Sequence, residues 1–202
     1  MTLYLIIVAA ILTAVVIVAL WIKFPKSRFF VPVAVFAVMA LLFVKGLTMD
    51  PKVIPSVLID RPVPEMALAP LPGRGENTGL ATKDLKGRVS LVNIYGSWCI
   101  ACVQEHPYLM EYKKSGVVPI HGIDWRDDPV LGAAWLKKHG DPYERVGVDP
   151  APGRAAVDFG VTGAPESFIV DKNGIIRYKH IGPISPEVWK KTLLPIIREL
   201  QK

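Results

Sequence analysis

Val89-Ser90-Leu91-Val92-Asn93-Ile94-Tyr95-Gly96-Ser97-Trp98-Cys99-Ile100-Ala101-Cys102 is the stretch on which the reading of this chain turns. Its first seven residues form a mostly apolar, β-favouring run, the pattern of a buried strand. Gly96-Ser97 breaks the run, and Val103-Gln104-Glu105-His106 onward suits a helix. The two cysteines are the only ones in 202 residues, and they fall where strand hands over to helix. Cys-x-x-Cys at a helix start is the geometry of a redox dithiol.

A thiolate attacks a disulfide; a thiol does not. Cys99 falls at a helix N-terminus, where unpaired N–H groups and the macrodipole favour negative charge. It reads as the nucleophile, and Cys102, one turn further in, as the resolving thiol. Competing readings are weaker on chemistry. A structural disulfide closing so short a loop restrains the unfolded chain little. Zinc needs a second ligand pair, which is absent. Copper(I) on two thiolates needs a third soft or imidazole ligand, with His106 and Met110 the neighbouring candidates. No resident metal or cofactor is assigned.

Glu105 and His106 lie three and four residues beyond Cys102, both within its reach on a helix. His106 is about 10 Å along the axis from Cys99, too far to activate it directly. A partly buried carboxylate with a raised pKa can manage the proton of Cys102, so Glu105 is the favoured residue. The alternative is that both are solvated surface residues. Pro107 removes one backbone bond and is expected to kink the helix.

Outward from the dithiol, strand and helix alternate. Residues 117–123 read as a strand, 129–139 as a helix, 145–148 as a strand and 151–159 as a short helix ended by Gly160. Residues 167–170 and 175–180 are strands joined by the turn Asp171-Lys172-Asn173-Gly174. Residues 185–200 close as a helix, with Ser185 as N-cap and Pro186 in first position. A βαβ half followed by a ββα half predicts a thioredoxin-like α/β fold, a central mixed sheet flanked by helices.

The N-terminus is of another kind. Residues 1–22 hold no charged side chain and would make roughly 33 Å of helix, enough for a transmembrane span. A second apolar run, 29–45, is predicted to be a shorter span. Between them, 23–28 carries three cations and no acid, which places that turn in the cytoplasm and the rest of the chain on the far side. A cleaved signal peptide fits less well, since the run lacks a preceding positive region and a small-x-small site. Residues 46–56 read as a proline-containing tether and 57–202 as one extracytoplasmic domain. The net charge of +6 reflects this topology. From Lys52 onward, 20 basic residues face 17 acidic ones, too balanced to argue for nucleic acid.

Residues 92–102 with Glu105-His106-Pro107-Tyr108-Leu109 resemble the active-site stretch of the DsbE/CcmG thiol:disulfide interchange proteins. So do Gly122-Ile123-Asp124-Trp125-Arg126-Asp127-Asp128 and, most closely, Val161-Thr162-Gly163-Ala164-Pro165-Glu166-Ser167-Phe168-Ile169-Val170-Asp171. The resemblance implies a thioredoxin-like domain in the periplasm, anchored to the inner membrane, that reduces the haem-attachment disulfide of apocytochrome c or of a maturation protein holding it. Electrons would come from a membrane dithiol carrier of the DsbD or CcdA type. It implies a cis proline at Pro165 facing the dithiol, substrate pairing at Ala164 by strand addition, and a substrate-contacting set of Trp98, Ala164, Pro165 and Glu166. The family's acids near the dithiol map onto Glu105 and Glu166. Ala101 departs from the family's usual proline, which bears on the redox potential. Asn93 is normal for the family. The family usually has one membrane helix where two are predicted here. A TlpA- or ResA-like reductase of other targets, an oxidase and a tethered copper module are the competing functions.

Overall fold

The computed structural model describes residues 30–47, 58–75 and 78–202. The chain divides into two units, Met1–Ile54 and Pro55–Lys202. In the first, α1 (Phe30–Leu47) is a helix of 18 residues with Pro32 in its opening turn, where a missing N–H costs little. These 18 residues make about 27 Å of helix. Among the described residues no helix is long and apolar enough to cross a membrane. The expected second span thus forms a helix over its described residues. The expected first span, the basic turn and the tether from residue 48 to 56 lie outside the described residues.

The second unit begins with a small antiparallel pair, β1 (Ala67–Leu68) and β2 (Leu80–Ala81). The main sheet contains β3 (Ser90–Tyr95), β4 (Ile120–Trp125), β5 (Arg145–Asp149), β6 (Glu166–Val170) and β7 (Ile176–Ile181), in the order β5-β4-β3-β6-β7. β3 pairs in parallel with β4, and β4 with β5; β3 and β7 flank β6 antiparallel. All six residues of β3 are buried, as its apolar run predicts for a central strand. Between strands lie α2 (Ile100–Ser115), α3 (Pro129–His139) and the short α4 (Arg154–Asp158).

The order β3, β4, β5 advances in one direction, so two right-handed crossovers leave α2 and α3 on the same face of the sheet. Leu91, Tyr95, Ile120 and Ile169 meet Leu109 and Tyr112 of α2 and Trp135 and Leu136 of α3 there. Val92, Ile94, Ile123, Phe168 and Val170 face the other way, against Ala156 of α4, Phe159 and Leu80. Alternate residues of each strand thus feed two separate cores.

Local chemistry sets the boundaries. Asp128 caps α3, its Oδ1 accepting from Val130 N at 2.8 Å, and Gly116 ends α2 at φ 65°. α2 runs on through Pro107 without interruption. β4 starts at Ile120 rather than 117, because Pro119 has no N–H to give the ladder, and it continues to Trp125, paired with Asp149. Ala151–Pro152 is a cis peptide; Gly153, the N-cap at φ 80° in the left-handed region, sets the start of α4 at Arg154. The closing helix α5 is α-helical over Pro186–Val188, π-helical over Trp189–Leu193 and α-helical again over Leu194–Leu200. Leu194 N–H reaches back to Trp189 O. Pro195 lacks the N–H an α-turn would need and its ring crowds the preceding carbonyls, so the turn before it widens.

α3 passes close over the end of β4. A Cβ at Gly132 would stand 2.3 Å from Asp124 Oδ2. Gly132→Ala should gain about 1 kcal/mol of helix propensity yet lose more to the collision, with a net destabilisation of roughly 1–3 kcal/mol. In an Asp124→Ala background the same change should become neutral or stabilising, a coupling that thermal denaturation of the four variants would reveal.

Candidate active site

Tyr95 ends β3, and Gly96-Ser97-Trp98 turns the chain into α2. Trp98 folds back over Gly96, where a Cβ would meet the indole Nε1 at 2.5 Å. That Nε1 donates to Trp125 O at 3.2 Å. Asp127 holds the turn from the neighbouring loop: one carboxylate oxygen accepts from Ser97 N, the other from Ser97 Oγ at 2.9 Å. Cys99 N donates to Gly96 O at 3.1 Å. The turn is braced from two sides before the first cysteine is reached.

Cys99 is the N-cap residue of α2, and it is joined to Cys102 in a disulfide with Cα atoms 5.2 Å apart. Cys102 N donates to Cys99 Sγ at 3.1 Å. In the reduced protein the same helix-end N–H favours a thiolate on Cys99. Both cysteines are buried, Cys102 the more deeply, while Trp98 and Ile100 beside them are exposed.

Glu105 lies on the inward side of α2 and is only 1% exposed. Its Oε1 accepts from Asn93 Nδ2 at 3.0 Å and its Oε2 from Ile184 N at 2.9 Å. Asn93 also donates to Ser167 Oγ at 3.0 Å and accepts from Tyr143 OH at 2.7 Å. Burial pushes the Glu105 carboxyl up to about 7, against the downward pull of the Ile184 and Asn93 bonds. His106 turns elsewhere: Nε2 meets Gly140 O at 2.9 Å and the ring packs edge-on against Trp135. Burial lowers its pKa, so it stays neutral, engaged in packing away from the dithiol.

Ala164–Pro165 is a cis peptide. Glu166 pairs with Ile94 across the β3–β6 ladder, which sets Ala164 and Pro165 opposite the strand end that leads into the dithiol turn. Ala164 packs against the cluster containing both cysteines. Among the described residues its amide and carbonyl have no hydrogen-bond partner. Glu166 has no exposed surface. It sits one residue out of phase with Ser167 and Ile169, hence on the sheet face away from α2; its carboxylate accepts from Thr162 and Gly163 and forms an ion pair with Lys179. The two acids that the family likeness sets near the dithiol therefore occupy opposite faces of the sheet. Trp98, Ala164 and Pro165 stay close to the cysteines; Glu166 supports the loop from behind.

Sequence reasoning missed Asp124 because the predicted strand stopped at Ile123. Asp124 is fully buried beside Tyr95, its register partner, and shares a side-chain hydrogen bond with Asp127. Burial, reinforced by the nearby Asp127 and Asp128 charges, raises its pKa from 3.8 to about 8. As pH rises above about 4 the unfolded chain loses this proton while the folded one keeps it, so folding weakens until the folded group also ionises. Asp124→Asn should therefore match the parent near pH 4 and exceed it by about 5 kcal/mol at pH 8, as urea titrations at the two pH values would measure.

Residues 59–193 match the Redoxin family. The chain is 42% identical over 175 residues to the thiol:disulfide interchange protein DsbE of Allochromatium vinosum, covering 87% of this chain and 95% of that one. DsbE of Pseudomonas aeruginosa is 38% identical over 175 residues, with 87% and 95% covered. DsbE of Escherichia coli K12 is 36% identical over 155 residues, with 76% and 81% covered. A solved structure described as DsbE of Chlorobium tepidum superposes with a TM-score of 0.57 at 26% identity, over 70% of this chain and 96% of that one. The fold is thus the expected thioredoxin-like one. The chain belongs to the Redoxin family, among the DsbE thiol:disulfide interchange proteins, and its paired cysteines make it a thiol-disulfide oxidoreductase.

Proposed function

We propose that this oxidoreductase works as a reductant on the periplasmic side of the inner membrane, opening the haem-attachment disulfide of apocytochrome c or of its holder protein. The observation that carries the direction of electron flow is the buried Glu105 one helical turn beyond Cys102. An oxidant of this fold is strong because its reduced form is stabilised. Here the charged groups flanking the dithiol are the carboxyls of Glu105 and Asp127, and among the described residues no ion pair or hydrogen bond joins a cation to either cysteine.

The cycle starts from the reduced pair. The Cys99 thiolate attacks one sulfur of the substrate disulfide, and the other leaves as a thiolate. Cys102 then gives its proton to ionised Glu105 and attacks Cys99 Sγ. The substrate departs as a dithiol, and the protein is left with the Cys99–Cys102 disulfide seen in the structure. A membrane dithiol donor of the DsbD or CcdA type would return two electrons and two protons. The unpartnered main chain at Ala164 suits an extended substrate segment, laid beside the cis proline as an added strand.

Membrane anchoring rests on α1, which exposes Phe30, Phe36, Leu42 and Phe43 among other apolar side chains. A helix apolar all round belongs in a large core or in lipid. The broader reductase reading, with targets beyond cytochromes, uses the same dithiol and edge. The copper reading would have to use His106 Nδ1, since Nε2 meets Gly140 O and the ring packs edge-on against Trp135.

Cys102→Ala should accumulate a mixed disulfide between Cys99 and the apocytochrome or its holder in cells, identified by mass spectrometry. Capture of only unrelated periplasmic proteins would overturn the cytochrome assignment. In the parent, the resolving step should accelerate as pH rises through about 7, where Glu105 ionises. Glu105→Gln should lose that inflection and slow resolution by about 10²-fold, seen by stopped-flow as a longer-lived mixed disulfide.

A further inference from the structure

Lys179 lies in the middle of β7, the outermost strand of the sheet. A lysine there would ordinarily extend its ammonium into water. Instead its side chain is only 5% exposed, and Nζ stands 2.9 Å from Glu166 Oε2, whose side chain is fully buried. The same Nζ donates to Gly160 O at 2.8 Å and lies 5.6 Å over the Phe168 ring. The other oxygen of Glu166 gathers donors from one short segment: Thr162 N at 2.9 Å, Thr162 Oγ1, and Gly163 N at 3.2 Å. Gly160 N and Val161 N bond back to Val157 O and Ala156 O at the end of α4, and the rest of the segment leading into Ala164–Pro165 is tied to the buried ion pair. Gly182 N fastens the far side, donating to Pro165 O at 2.9 Å.

Stability does not account for this arrangement. Two well-packed apolar residues hold a sheet face at least as well as a buried ion pair, which must first repay the desolvation of both charges. What an apolar pair lacks is direction. A carboxylate locked by an ammonium on one oxygen presents the other at a set place and angle, and three donors of a loop without helix or strand register on it. The loop so registered ends at the one main-chain edge beside the dithiol that is open to an incoming strand.

We propose that Lys179 is a positioning residue for substrate capture: through Glu166 it holds residues 160–163 so that the Ala164 edge is preformed for an extended, disulfide-bearing peptide. The proposal rests on the reading of Ala164–Pro165 as the substrate edge. It assigns Lys179 to peptide binding and leaves the thiol chemistry to Cys99, Cys102 and Glu105.

The test compares three oxidised substrates: a synthetic peptide with the haem-motif disulfide, an extended peptide with an unrelated disulfide, and the small aromatic disulfide dithionitrobenzoate, which needs no strand edge. Lys179→Met should raise KM about tenfold for both peptides with kcat little changed. Reduction of the small disulfide and the ionisation of Cys99 should stay as in the parent, and Lys179→Arg should recover most of the peptide KM. Unchanged peptide KM overturns the proposal, and so does an equal loss on all three substrates, which would mean a merely structural role. Should Lys179→Met fail to fold because Glu166 is left charged and alone, the paired Lys179→Gln, Glu166→Gln protein takes its place, and a parent-like peptide KM there overturns the proposal. A parent enzyme that reduces the unrelated peptide but not the haem-motif one would sink the cytochrome reading and leave Lys179 to be judged on the former. Failure of the parent on both peptides removes the substrate edge and the proposal with it.

Discussion

Glu105 is a carboxyl group placed where water does not reach it, and the region around the dithiol is organised by what that burial demands. A charged group in such a place must find donors or keep its proton. Asn93 and Ile184 supply one donor each, enough to hold the carboxyl in position and too few to keep it fully ionised at neutrality. The result is an acid poised near 7, able to take a proton from a thiol and give it back. Asn93 spends its remaining amide hydrogen and its carbonyl on Ser167 and Tyr143. Five separate segments, β3, α2, β6 and the loops around Tyr143 and Ile184, are therefore tied together through Glu105 and Asn93.

The sheet divides the work between its faces. On one side lie the disulfide, Glu105 and the network beneath it; on the other, Glu166 and Lys179. The alternation of β6 puts Glu166 and Ser167 on opposite faces although they are adjacent in the chain. Residues that handle protons and residues that shape the loop before Pro165 are thus insulated from one another by the strand itself. Asp124 adds a different economy. It is a buried acid tolerated because its proton stays on, shared with Asp127, and it stands at the root of the turn that Asp127 clamps from above.

Much of this molecule was legible along the chain. Val89 to Cys102 identified the central strand, the helix after it and the reacting pair, because alternation, capping and turn chemistry act over a few residues. The same reasoning placed α3 over its full length and the hairpin at Asp171-Lys172-Asn173-Gly174, where Asp171 Oδ1 accepts from Asn173 N and Ile175 N. Some slips had a local cause: Pro119 delayed β4, Gly153 in the left-handed region delayed α4, and Pro195 widened α5. The extension of β4 through Asp124 and Trp125 escaped notice because pairing with β5, rather than local propensity, makes those residues strand.

By itself the sequence determined which two sulfurs react, on which element they sit and in what order strands and helices follow. Only the tertiary structure decided that Glu105 is buried and His106 turned aside, that Glu166 faces away from the dithiol it was expected to serve, and that Asp124 and Lys179 matter at all. The reason is range. A cap or a turn is made by neighbours, whereas the environment of a carboxyl group is assembled from chain as distant as the 79 residues between Glu105 and Ile184.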